Sequence, residues 1–332
     1  DCDGSIDESL TQACSSACGT GIETCVSGIW KNCSAPKPSV EVCDDKDNDC
    51  DGSVDEITEC TACDAYKNYS FVNGKCCTNG KTEGTSMCII DSFDLPKDHP
   101  NDLTWDWNEK VLWFIDNSNS KDGYDVTIYK ASPKNGNLNI LSSFNTGEML
   151  GKPSGLAWDG EFLYVFDEGV DTIFTYTPNG VMNSYFDLAP EGEYLGCLAP
   201  SDSGVSNGRG MEWDGQYFWI TSSDSLLDNE GGKICQITTS GQVIKSFELD
   251  VVGIKYPTGL TIGKNLLWVN NAGILNPAIY VMSMDSGEIL NSYSAPTLWP
   301  QGLAWESNSW FFNYLWYSTN FDAKIYKLEV MQ

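Results

Sequence analysis

From about Asp91 to the C-terminus the chain alternates apolar and polar positions in short runs separated by turn residues. Period-two alternation over five to eight residues is the signature of half-buried strands. The runs repeat. "PNDLTWDWNEKVLWFIDN" begins at Pro100, "PSGLAWDGEFLYVFDEG" at Pro153, "GRGMEWDGQYFWITSS" at Gly208, "PTGLTIGKNLLWVNNA" at Pro257 and "PQGLAWESNSWFFNYLWYSTN" at Pro300. Each of the first four is followed by a second pair of strand-like runs, such as "TIFTYTP" with "VMNSYFDL" or "KICQITTS" with "QVIKSFELD". Turn dipeptides such as Asp159-Gly160, Asn179-Gly180 and Ser240-Gly241 join them.

Four short strands recurring every 40 to 55 residues or so describe the blades of a β-propeller. The fifth unit supplies only three strands and closes with "AKIYKLEV". The missing one is predicted from the other end of the domain. "CIIDSFDLP", from Cys88, resembles the fourth-strand run "VIKSFELD" from Val243. Residues 89–95 are therefore expected to pair with the last unit and close the ring, leaving no long exposed sheet edge. The fold class expected is all-β: a five-bladed β-propeller over residues 89–332. A sixth unit within residues 191–207 is the alternative, although "EGEYLGCLAPSDSGVSN" reads as a loop.

Residues 1–88 have a different texture. They hold 12 of the 14 cysteines and are rich in Gly, Ser, Asp and Asn. Such a segment buries little core and needs covalent or metal staples. Residues 1–57 read as Cys-rich metal-binding repeats and 58–88 as a Cys-rich linker subdomain. Dense cysteines with a single His point to disulfides formed in an oxidising compartment, hence to an extracellular or cell-surface protein. Cys60-x-x-Cys63 has zinc-ligand spacing but lacks a matching second pair. No apolar run reaches membrane-spanning length, and no leader is visible. The chain is thus expected to be a trimmed or mature fragment. Its formal net charge of -28 excludes nucleic acid and anionic membranes as partners and suits a protein that carries divalent cations.

The strongest chemical signal is "DKDNDCDGSVDE", Asp45 to Glu56. Asp47, Asp49 and Asp51 alternate, and Gly52 permits a sharp turn. Ser53 follows, and Asp55 or Glu56 can close a coordination shell. This is the first half of a Ca²⁺-loop pattern, and hard oxygen ligands select Ca²⁺. Thr58 stands where an EF-hand would carry its bidentate Glu, which sets this loop apart. A solvated acidic turn is the competing reading; mutual repulsion of the carboxylates counts against it. The chain opens with a shortened copy, "DCDGSIDE", in which Asp1, Asp3, Ser5, Asp7 and Glu8 match Asp49, Asp51, Ser53, Asp55 and Glu56.

"EVCDDKDNDCDGSVDE" and the segment "ACSSACGTGIETCVSGIWKNCSAPKPSVEVC" before it resemble the MopE-like metal-binding repeats of secreted bacterial proteins; "CSSACGTG" also has a thrombospondin-type-1 character. Copper, linked with some members of that family, is the rival metal, but the only His, His99, lies outside the repeat. If Cys43 pairs with Cys50, Cys2 is left without its partner, which implies preceding chain or a second copy. Cys197 and Cys235, alone in the propeller, form the other expected disulfide, and the adjacent Cys76 and Cys77 are expected to bond different partners among Cys60, Cys63 and Cys88. The "P-x-G-L-A-W-D-G-x-x-L-W-V" units resemble those of glutamine-cyclotransferase-like, NHL-type and regucalcin-like propellers. That resemblance implies a fold and leaves the activity open.

The recurrent Trp105-Asp106, Trp158-Asp159, Trp213-Asp214 and Trp305-Glu306 are expected to be structural, with Trp packed between blades and the acid capping a turn. A sugar-binding role for exposed aromatics is the alternative. The oxygen-rich loops at 116–125 and 222–232 read as solvated. Catalytic signals are thin: His99 stands alone before Pro100, there is no nucleophile elbow or phosphate loop, and an acid-only hydrolase remains the enzymatic alternative. "NCS" at Asn32 and "NYS" at Asn68 are glycosylation sequons. The reading that results is a Ca²⁺-stabilised structural or interaction protein of the cell exterior. It would bind other copies of itself, cell-surface components or glycans. A propeller lectin and a propeller hydrolase or lyase are the alternatives.

Overall fold

The computed structural model describes residues 10–39, 47–54, 66, 68–72, 75–97, 99–117, 126–134, 136–146, 152–188, 208–222, 232–272, 277–307 and 313–331. The chain divides into two compact units. The smaller comprises Asp1–Tyr66 and Ser70–Cys76; the larger comprises Lys67–Tyr69 and Cys77–Gln332. The division falls inside the stretch read as a linker subdomain, so Cys77 to Cys88 belong to the larger unit. Among the described residues, no helix is long and apolar enough to cross a membrane.

In the smaller unit, strands Thr11–Ser16, Gly19–Val26 and Ile29–Lys31 form an antiparallel sheet. Few of its described side chains are buried. Disulfides Cys14–Cys33 and Cys18–Cys50 provide cross-links that burial does not. Cys50 bonds Cys18, which corrects the Cys43–Cys50 pairing; Cys43 and Cys2 lie outside the described residues. Cys18 sits in a hairpin turn whose position in space no spacing rule specifies.

In the larger unit the repeated runs form five antiparallel sheets. Sheet I is Pro100–Asp106, Val111–Asn117, Val126–Lys134 and Asn137–Asn145. Sheet II is Pro153–Trp158, Leu163–Asp167, Thr172–Tyr176 and Met182–Asp187. Sheet III is Gly208–Trp213, Phe218–Ser222, Lys233–Ile237 and Val243–Glu248. Sheet IV is Pro257–Gly263, Leu266–Asn271, Ala278–Ser283 and Ile289–Ser294. Sheet V has six strands, of which the first four in order are Pro300–Ser307, Asn313–Thr319, Lys324–Met331 and, from much earlier in the chain, Ser86–Asp94.

That last strand runs antiparallel to Lys324–Met331, with Phe93 opposite Ile325 and Ile89 opposite Leu328. It is the pairing expected for residues 89–95, begun three residues earlier. Cys77, on the strand before, bonds Cys88. Cys76 is also disulfide-bonded, with a different partner from its neighbour. The first strands touch in the cycle I–II–III–IV–V–I.

Side-chain type follows position. The second strands are buried almost throughout, since each sheet is covered on both faces: Leu112 to Ile115 and Trp268 to Asn270 have no exposure. The fourth strand of sheets I to III alternates into solvent. In sheet IV that edge is covered instead. Thr82 donates its N–H to Asn291 Oδ1 (3.0 Å), Lys81 N–H donates to Ser292 O (3.1 Å), and Asn68 and Tyr69 bond Ser294. Each of sheets I to V carries a register shift between its first and second strands and another between its third and fourth. Bulges at fixed places increase the local twist.

Candidate metal loop and the propeller axis

The acidic loop lies in the smaller unit. Cys50 and Gly52 both adopt positive φ, 64° and 101°. Gly52 does so at little cost, and its surroundings are open. The turn folds the alternating acids inward. Asp47 accepts the N–H groups of Asp51 (3.1 Å) and Gly52 (3.0 Å), Asp49 accepts that of Asp51 (3.1 Å), and Asp51 accepts that of Ser53 (2.9 Å). One carboxylate oxygen from each of Asp47, Asp49 and Asp51 lies within 4.8 Å of the others. Three converging anionic oxygens suit a hard cation, and no thiolate or imidazole joins them among the described residues. Cys50, between two of the acids, is anchored by Cys18. Ser53 contributes its backbone to the turn. Asp55, Glu56 and the first copy (Asp1, Asp3, Ser5, Asp7 and Glu8) lie outside the described residues.

In the larger unit, the recurrent Trp-acid pairs are structural in the way their recurrence implies. Trp105 stacks on Trp316 (5.7 Å between centroids), Trp158 meets Trp113 (6.3 Å) and Trp305 meets Trp268 (5.0 Å), each across two sheets. Asp106, Asp159 and Asp214 each accept two backbone N–H groups of the following turn. Glu306 instead accepts Trp316 Nε1 (2.9 Å) and pairs with Lys327 (2.7 Å). At the opposite end of the strands, Asp116, Asp167 and Asn271 accept N–H groups from the chain entering their own sheet. Asp116 alone holds both Lys97 and His99 by their backbone N–H groups.

The axis is the other notable place. Gly155, Gly210, Gly259 and Gly302 stand at equivalent positions of four first strands. An added Cβ would come within 2.9 Å of Met211 at Gly155, 2.8 Å of Gly259 Cα at Gly210 and 2.6 Å of Gly302 Cα at Gly259. In sheet I the equivalent residue is Asp102. It is fully buried, and its Oδ2 accepts N–H groups of Leu156 (2.9 Å) and Met211 (3.2 Å), spanning three sheets. Burial pushes its carboxyl well above the usual range, with the nearby Glu212 adding to the effect. Glu212, also buried, is raised to about 7 by desolvation, against hydrogen bonds from Thr261 Oγ1 (2.7 Å) and Trp213 N–H (3.1 Å). Sequence reading passed over Asp102. Its signal was there: "PND" stands where the other units have "PSG", "GRG", "PTG" and "PQG". Cys235 is disulfide-bonded, as expected; Cys197, its expected partner, lies outside the described residues.

No protein-family model matches the chain, and no curated protein matches it. Solved structures do. A Myxococcus xanthus glutaminyl cyclase superposes with a TM-score of 0.52 at 13% identity, over 74% of this chain and 97% of that one. A nidogen/laminin complex (TM-score 0.41, 18% identity, 74% of this chain and 82% of that) and a streptogramin B lyase (0.38, 17%, 73% and 97%) are more distant. At these identities the first likeness establishes a shared all-β fold and leaves the activity open.

Proposed function

We propose that this is a Ca²⁺-stabilised, disulfide-stapled structural or interaction protein of the cell surface or extracellular space, built on a five-bladed β-propeller. The blade count rests on the five sheets and the cyclic order of their first strands. The observation that carries the functional reading is the convergence of Asp47, Asp49 and Asp51 in a loop pinned by Cys18–Cys50. Such a site, with Ser53, Asp55 and Glu56 as further ligands, rigidifies a unit that has little core; the shorter copy at Asp1 to Glu8 would hold a second ion. Metal binding then becomes folding free energy. The partners are other copies of the chain or components of the cell exterior.

The test is thermal unfolding of the full chain in chelator, in Ca²⁺ and in Mg²⁺. The expected outcome is a fall in melting temperature in chelator that Ca²⁺ reverses and Mg²⁺ does not, and that Asp49→Asn with Asp51→Asn makes smaller. An unchanged melting temperature would sink the calcium reading.

A second reading, as a lectin, is favoured by Trp299 and Phe321. Both rings are more than half exposed and meet edge to face at 6.0 Å. A bulky residue at φ 52° is strained, and strain of this kind gathers at binding sites. Glycan-array binding that Trp299→Ala removes would establish it.

A further inference from the structure

A bulky residue in the left-handed region stays there only when its surroundings hold it. Trp299 and the turn beside it are held from several directions. The Trp299 carbonyl accepts the N–H of Asn320 (3.3 Å), and the Leu298 carbonyl accepts Thr319 Oγ1 (2.7 Å). Thr319 Oγ1 in turn accepts the N–H of Phe321 (3.0 Å). Tyr317 Oη donates to Thr297 O (2.9 Å), and Ala323 O accepts the N–H of Leu95 (3.3 Å). The chain entering sheet V is thereby locked to residues 320–323, the turn between the second and third strands of that sheet. Yet the rings this backbone carries are not packed away. Trp299 is 54% exposed and Phe321 55%, with their planes at 74°. The bonds fix two aromatic rings at the surface, where they add little to the core.

The surroundings of the rings point to a class of ligand. Asn320 and Asp322 flank Phe321 in the turn. Each has a covered Oδ1 without a partner, while Asp322 Oδ2 accepts Tyr326 Oη. Covered acceptors without donors are rare and call for an explanation. Both side chains are only partly buried, so a small rotation turns either oxygen toward a donor above the turn. Gln301, also partly buried, places a second amide beside Trp299, with Nε2 3.5 Å from Trp299 O. Among the described residues of 295–325, no other large apolar side chain is exposed. A protein partner would look for a wider apolar centre. Here two rings stand among two amides and a carboxylate. A pyranose carries both halves of that pattern: a C–H face to lie on an aromatic ring, and hydroxyls that donate to amide and carboxylate oxygens. Asp322 and a net charge of -28 disfavour an anionic sugar.

We infer, resting on the lectin reading, that Trp299 and Phe321 with Asn320, Asp322 and Gln301 form a binding site for a neutral hexopyranose. The sugar stacks on Trp299 and against Phe321, and its hydroxyls bond the side chains of Asn320, Asp322 and Gln301. The site lies in the larger unit and does not use the acidic loop.

The experiment is calorimetric titration of the full oxidised chain with lactose, cellobiose, maltose and methyl α-mannoside. Glucuronic acid serves as the anionic probe and hexaproline as the peptide probe. The expected result is saturable binding of at least one neutral sugar, one per chain, and none of glucuronic acid or hexaproline. Phe321→Ala and Trp299→Gly should each raise the Kd roughly tenfold or more. Asn320→Ala should raise it about threefold or more. Trp299→Gly separates binding from folding. Glycine is at ease at positive φ, so this variant should melt no lower than its parent while losing the sugar. Near-UV circular dichroism verifies the fold of each variant.

A clear fall in melting temperature in Trp299→Gly would make the ring a structural element and overturn the inference. Sugar binding unchanged in both Trp299→Gly and Phe321→Ala overturns the site and leaves the lectin reading to another surface. A preference for glucuronic acid, or glycan-array binding confined to acidic sugars, overturns the ligand class while the lectin reading stands. Hexaproline bound in place of the sugars would assign the rings to a peptide, and a failure of all four neutral sugars to bind overturns the inference equally.

Discussion

At the scale of single residues, a small number of polar side chains hold this propeller together, and they fall into two kinds. The repeating kind, such as Asp159 and Asp214, caps turns and was legible because it recurs. The singular kind, Asp102 and Glu212, sits once among apolar neighbours and gained its meaning only when distant strands met. Glu212 makes the difference measurable. Its folded value, about 7, lies above the ordinary 4.5. The folded state therefore binds its proton more tightly, and the stability associated with the neutral form is lost as pH rises from 4.5 to about 7. With chelator present, the denaturant midpoint should fall across that window. Glu212→Gln should flatten the fall by an amount on the order of 1 to 3 kcal/mol. An equally steep profile in the variant would show that other groups carry it.

At the scale of elements, closure of the ring is the decisive event. Sheet V takes three strands from the C-terminal end, and the strand that pairs with the last of them, Ser86–Asp94, comes from more than 200 residues earlier. Phe93 anchors that strand against Trp316 (5.8 Å) and is 3% exposed. Phe93→Ala should cost about 3–5 kcal/mol, the range for a large aromatic removed from a close-packed core. Equilibrium unfolding in urea would measure it; a loss below about 1 kcal/mol would mean the closing strand contributes little. The likeness between "CIIDSFDLP" and "VIKSFELD" made this strand readable. By contrast, nothing in the sequence announced that residues 68–69 and 80–85 would cover the edge of sheet IV alone. That cover depends on where the last part of the Cys-rich segment happens to pass.

At the scale of the whole molecule, a net charge of -28 over 332 residues makes self-repulsion a standing cost of compactness. Screening relieves it. Raising ionic strength from about 0.01 M to about 0.15 M shortens the Debye length from ~30 Å to ~8 Å. The denaturant midpoint should rise over this range, and Ca²⁺ at the same ionic strength should raise it further. Equal effects from Ca²⁺ and a matched monovalent salt would reduce the cation's role to screening alone.

The sequence by itself determined whatever repeats or lies close along the chain. It specified the strands and their turns, the Trp-acid pairs, the closing strand and the convergence of Asp47, Asp49 and Asp51, whose ligand geometry is local to one turn. Those features depend on periodicity and on short-range backbone geometry, both of which a linear chain carries. Tertiary structure alone decided that Cys50 bonds Cys18, that neighbouring first strands approach at glycines too closely for a methyl group, and that the buried Asp102 accepts N–H groups from Leu156 and Met211 of two other sheets. The disulfide depends on how the small unit's loops pack together, and the other two on which strands become neighbours around the ring, neither of which any spacing along the chain specifies.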